Sequence, residues 1–198
     1  MKYLIPRIRL TDLGPMFLMA YAGAIIAGLY GILHDQITFS IGPEYFSKFK
    51  FEQFRYADFG LGDRVFVGCI GFLATWWVGF VFAWFFARRH FPGQRRGDAC
   101  RAILKSFVVV CSCGVLAGVI GYVSGLWLGP DADYSSWRIL LLQFDIIDSW
   151  SFIRVAYIHN ASYLGGLIGF VVALIFIRPS FKGLKTVSEV LPVDSETA

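Results

Sequence analysis

Four runs of almost unbroken apolar character divide the chain: Leu13–Leu33, Val65–Ala87, Ser106–Leu128 and about Ala156–Ile177. Each is about 21–23 residues, or roughly 32–35 Å as α-helix, against a hydrocarbon layer of about 30 Å. Runs of that length predict four membrane-spanning helices. Pro15 falls in the first predicted turn, where its missing amide costs nothing. Ala20-Tyr21-Ala22 mimics a signal-peptide cleavage triplet. The apolar run continues eleven residues past it, so a retained anchor is expected.

Within each run, small residues recur at every fourth position. Examples are Gly23/Ala27/Gly31, Gly71/Thr75/Gly79/Ala83, Gly114/Gly118 and Ala161/Gly165/Gly169/Ala173. Burying Leu against Leu gains little in lipid, so such stripes hold helices together by close backbone approach. A compact bundle is the natural reading, and the same stripes also suit a homo-oligomer or another membrane partner.

Composition agrees: 57% of the 198 residues are hydrophobic and 16% charged, far from soluble averages of roughly 45–50% and 25%. Charge then supplies orientation. Twelve of the 18 Lys and Arg lie at the N-terminus (Lys2, Arg7, Arg9), between Arg88 and Lys105, and in the tail (Arg178, Lys182, Lys185). The other two loops hold six, against nine acids. The positive-inside bias places both termini and the central loop, with a solvated His90, in the cytoplasm. The scattered blocks do not form one basic face, which argues against nucleic acid as a partner. Cys69, Cys100, Cys111 and Cys113 show no zinc-finger spacing and read as inert. The expected fold is an all-α membrane protein: a four-transmembrane-helix bundle with two extracytoplasmic loops containing short interfacial helices. Residues 1–178 form one domain, and 179–198 a disordered cytoplasmic tail.

The loops are aromatic. Seven aromatics fall between Tyr45 and Phe59, alternating with charges, and Trp137 to Ile147 is apolar but too short to span. Such segments lie in the interface or pack over the bundle mouth.

Candidate chemistry gathers on that side. His34, Asp35 and Gln36 follow the first apolar run, and His159, Asn160 and Tyr163 stand at the outer edge of the fourth. Glu44, Asp145 and Asp148 lie in loops that can fold over them. Three readings stay open: helix caps and loop anchors; a zinc-like divalent metal bound by His34, Glu44 and His159; or a pocket for a proton, small molecule or partner protein. Haem held between the two imidazoles is the least favoured variant. No cofactor is required by any motif. GxSxG, P-loop and GxGxxG patterns are absent, so a binding or structural role is expected ahead of an enzymatic one. The enzymatic alternative is a metal-dependent membrane hydrolase at the outer leaflet, with Glu44 or Asp35 as base.

Tyr30 to Gln36, Pro43-Glu44-Tyr45-Phe46 and Ile158 to Tyr163 resemble a group of small multi-pass membrane proteins of bacteria. These share a His-Asp-Gln … Pro-Glu-Tyr-Phe pattern and have no established activity. The resemblance implies a bacterial inner-membrane location and a shared role for His34, Asp35, Gln36, Glu44 and His159.

Overall fold

The computed structural model describes residues 8–92 and 94–179. Four long helices carry the chain: α1 (Leu10–Ile41), α2 (Asp63–His90), α3 (Arg96–Leu128) and α4 (Ser149–Phe176). No strand occurs among the described residues, and each long helix is apolar enough to cross a membrane. The protein is therefore an all-α four-helix membrane bundle, as the hydropathy pattern predicts. The outermost basic residues Lys2, Arg7, Lys182 and Lys185, and the tail beyond Pro179, lie outside the described residues.

Three helices, α1, α3 and α4, extend well beyond their apolar runs, and polar partners explain the extra turns of α1 and α4. α1 starts at Leu10, so Pro15 sits in the second turn rather than the first, leaving one carbonyl without its helical donor. At the other end α1 runs eight residues past Leu33, because α2 satisfies its polar groups. Arg64 donates to the Gln36 carbonyl at 3.0 Å and to the Ser40 hydroxyl at 3.0 Å, and the Gln36 amide donates to the Arg64 carbonyl at 2.7 Å. The helix stops at Gly42-Pro43, where the Gly42 amide closes the last turn on the Thr38 carbonyl at 3.0 Å and proline blocks continuation. α4 begins at Ser149, seven residues before its apolar run, because the Asp148 carboxylate caps it by accepting from the Ser151 amide at 3.0 Å. α2 reaches as far as His90. That residue is fully buried rather than solvated, because the longer helix turns it into the core.

The helices pack as two antiparallel pairs. In α1/α2, a methyl group added at Gly31 would strike the Gly71 carbonyl, and one at Gly23 would strike Ala83. Thr75 donates across the pair to the Ala27 carbonyl at 2.8 Å. In α3/α4, Gly121 lies against the Tyr157 carbonyl, Gly165 against Ala117 and Cys113, and Gly169 against Val110. The small-residue stripes are thus used within the pairs, where backbone contact replaces side-chain volume. All four cysteines are free thiols.

Between the pairs, the apolar cores lie at the two ends. On the basic-loop side Met16, Phe86, Phe91, Ile103, Phe107 and Ala173 form one core, extended by Phe82 stacked on Phe170 at 4.1 Å. At the opposite, loop-side end the aromatic segment folds inward instead of lying flat. Tyr45–Lys50 forms a π-helical turn continuing into Phe51–Gln53, and Tyr45 and Phe46 are buried against Val67, Phe152, Ile153 and Val155. The second loop carries a short helix, Arg138–Gln143, that sets Leu140 and Leu141 onto the same core. Glu44 joins the two loops: its carboxylate accepts from the amides of Ile147 at 3.0 Å and Asp148 at 2.8 Å. The loops make a clasped lid, and the waist beneath it stays open.

Candidate functional site

The site sits where α1 and α4 face each other beneath the lid, about 10–15 Å inside the loop-side helix ends at 1.5 Å per residue. Because α1 continues past Leu33, His34, Asp35 and Thr38 fall within two turns of one helix. His34 and Asp35 point about 100° apart, yet His159 from α4 enters between them and meets both. The His34 and His159 ring centroids are 4.7 Å apart, edge to face. His159 Nε2 lies 3.9 Å from Asp35 Oδ1. One donor or acceptor atom from each of the three side chains falls within 4.8 Å of the others.

Hydrogen-bond directions follow from the threonine. The Thr38 hydroxyl donates to the carbonyl of His34 at 3.0 Å in its own helix, so its lone pair is free for His159 Nε2 at 3.3 Å. This assigns the proton of His159 to Nε2 and leaves Nδ1 to accept from the Tyr163 hydroxyl at 3.4 Å. Rings enclose both imidazoles. Tyr30 stacks on His34 at 5.8 Å and Tyr45 stacks on His159 at 4.9 Å. His159 is 1% and Asp35 4% exposed. From the lid, the Lys50 ammonium lies 5.5–5.9 Å from the ring centres of Tyr45, Phe49 and Phe54. Burial lowers its pKa, and Asp35 opposes that shift.

Of the residues singled out in the sequence, His34, Asp35, His159 and Tyr163 come together. The others do not join them. Gln36 faces Arg64 on the neighbouring helix, Asn160 is exposed on the far side of α4, and Glu44 is taken up by the loop amides. The carboxylate beside the two histidines is that of Asp35. Tyr30, Thr38, Tyr45 and Lys50 complete the site, although none of them stands out in the sequence. Tyr30 and Thr38 stand four residues either side of His34, the spacing of a shared helical face, and become visible only if the helix is carried beyond Leu33.

Two apolar clefts open at the waist and meet on this cluster. One, of about 360 Å³, lies between the pairs with its mouth at Trp77 and Val81 of α2 and Tyr163 and Leu167 of α4. The other, of about 490 Å³, has its mouth at Leu33 and Ile37 of α1 and Val115 and Val119 of α3. All eight mouth residues are exposed on the outer, apolar surface of the bundle. Tyr30, His34 and Ser162 line both clefts. These residues carry buried polar atoms at the junction: the hydroxyls of Tyr30 and Ser162, which lie near each other, and His34 Nε2, which lacks a hydrogen-bond partner among the described residues. Leaving such a group unpaired costs about 1–3 kcal/mol.

No family profile, curated protein or solved structure matches this chain. The chemistry of the site therefore rests on its own residues.

Proposed function

We propose that this chain is a multi-pass protein of the bacterial inner membrane, with both termini cytoplasmic, that binds a small amphiphile entering sideways from the bilayer. The observation that carries this reading is the coincidence of three buried polar groups, the hydroxyls of Tyr30 and Ser162 and the bare Nε2 of His34, with the junction of two apolar clefts. Clefts of this size fall in or near the range of small-molecule sites, about 300–1,000 Å³, in which a few convergent polar groups fix the orientation of an apolar ligand. Their mouths favour entry from lipid. A hydroxyl, an imidazole and a second hydroxyl offer both donors and acceptors, which suits an uncharged head such as an alcohol, aldehyde or quinone. A charged head would carry a desolvation cost that this cluster does not offset. The location rests on the Lys and Arg asymmetry and on the resemblance to bacterial inner-membrane proteins.

Photolabelling tests the reading. Purified protein in mild detergent is irradiated with a long-chain alcohol bearing a diazirine, and the adducts are mapped by mass spectrometry. Adducts are expected on residues of the cleft walls. Gly166 lines the first cleft with open space at its Cβ position, so the side chain introduced by Gly166→Leu sets out into the cleft. It should reduce labelling there several-fold at unchanged thermal stability. Labelling that is unaffected by Gly166→Leu, or spread evenly over the lipid-facing surface, would overturn the proposal.

A further inference from the structure

We propose that His34, Asp35 and His159 form a three-ligand site for a divalent first-row transition-metal ion, with an open coordination position facing the clefts. The inference concerns the same cluster but does not rest on amphiphile binding, because metal loading is read with no amphiphile present.

Asp35 is a buried carboxylate that accepts no hydrogen bond among the described residues, and its partner within ion-pair range is His159 Nε2 at 3.9 Å. His34 Nε2 is buried and bare. A carboxylate and an imidazole in an apolar bundle are costly unless paired. A divalent ion would satisfy both and would also engage His159. Two imidazoles and a carboxylate form a donor set that suits zinc with a vacant position, or iron(II).

The geometry is close to closure. The three donor atoms lie within 4.8 Å of one another, and two ligands about 2.1 Å from a tetrahedral ion stand roughly 3.4 Å apart. Rotamer-scale movements close that difference. The surroundings also fit. With a metal on Nε2, the Nδ1 proton of His159 would be donated to the Tyr163 hydroxyl, which already lies 3.4 Å away; such an outer partner orients a metal-bound imidazole. Tyr30 and Tyr45 shield the two rings. Lys50 is the cation facing the cluster from the lid. Its ammonium is held over three aromatic rings and makes no ion pair with Asp35 among the described residues, which leaves the carboxylate free for a metal. Glu44, whose carboxylate is taken by the loop amides, lies outside the donor set.

The test uses the full chain, purified in detergent without a polyhistidine tag. Elemental analysis for Mn, Fe, Co, Ni, Cu and Zn should find close to one ion per chain. After chelation, titration with Co²⁺ alone should give visible ligand-field bands that saturate at one equivalent, together with a raised melting temperature. His34→Ala and His159→Ala should each weaken Co²⁺ binding by more than about 100-fold, since loss of an outer partner alone costs about 10–100-fold. If either variant fails to fold, Tyr163→Phe supplies the milder reading, a 10–100-fold weakening with the bands retained. Glu44→Gln should keep wild-type affinity. Absence of any ion and of cobalt bands in the wild type would overturn the proposal, as would binding that survives His34→Ala or is lost in Glu44→Gln. Wild-type protein that loads metal but shows no labelling of the cleft walls would overturn the cleft reading alone.

Discussion

Lys50 shows how much one side chain's environment decides. It belongs to the lid, and burial under Tyr45, Phe49 and Phe54 holds its pKa below the ordinary lysine value. The unfolded chain therefore holds this proton more tightly than the folded one. Where both states are charged the folded state bears the full cost of burial; that cost is relieved as pH rises from the lowered folded value towards the unfolded value near 10.5. Lys50→Met should therefore raise the melting temperature at pH 7, with a gap that narrows as pH approaches 10. A gap independent of pH would count against this account. At this scale the sequence was partly legible. His34, Asp35 and His159 stand out because ionisable residues are rare beside apolar runs, and all three converge. Glu44 stood out for the same reason and serves the loops. Nothing local distinguishes a carboxylate that faces a cluster from one that binds backbone amides 103 residues away.

At the scale of the element, the four helices and their small-residue stripes are legible because lipid demands long apolar runs and close contact. Helix ends are less so. Hydropathy ends α1 at the first polar residue, whereas the helix ends at Gly42-Pro43, since Arg64 satisfies the polar turn between. That error of two turns set the histidines at the helix ends instead of inside the bundle and hid Tyr30 and Thr38. The stripes yield a sharp contrast among glycines. Gly31→Leu and Gly165→Leu drive a side chain into backbone on the facing helix and should cost at least about 1–3 kcal/mol, the usual range for overpacking. Gly166→Leu, one residue on from Gly165, meets open space and should leave thermal unfolding in detergent unchanged. Equal destabilisation by the neighbouring glycines would refute the paired packing.

At the scale of the whole molecule, the bundle is two tight pairs joined at their ends, with the site in the gap. Sequence stripes cannot show this arrangement, because they mark which faces are close without naming the partner. The proposed orientation is open to direct measurement. In a cysteine-less background, single cysteines at Ser47 and Ser135 should react with an impermeant thiol reagent added to intact cells, and one at Gln94 should not. Labelling at Gln94 from outside would reverse the topology.

Each tight pair is also one uninterrupted stretch of chain, α1 with α2 and α3 with α4, and this has a consequence for biogenesis. The first hairpin is complete before the second has been synthesised, and its glycine contacts need nothing that follows. Metal-binding capacity is divided between the two: the first hairpin supplies His34 and Asp35, the second His159. Two fragments, 1–93 and 94–198, co-expressed as separate chains, should each insert and then reassemble in the membrane. Neither alone should bind Co²⁺, and together they should. The ion would thus report the docking of the halves, a step at which a nascent membrane protein acquires its function only when its second half arrives.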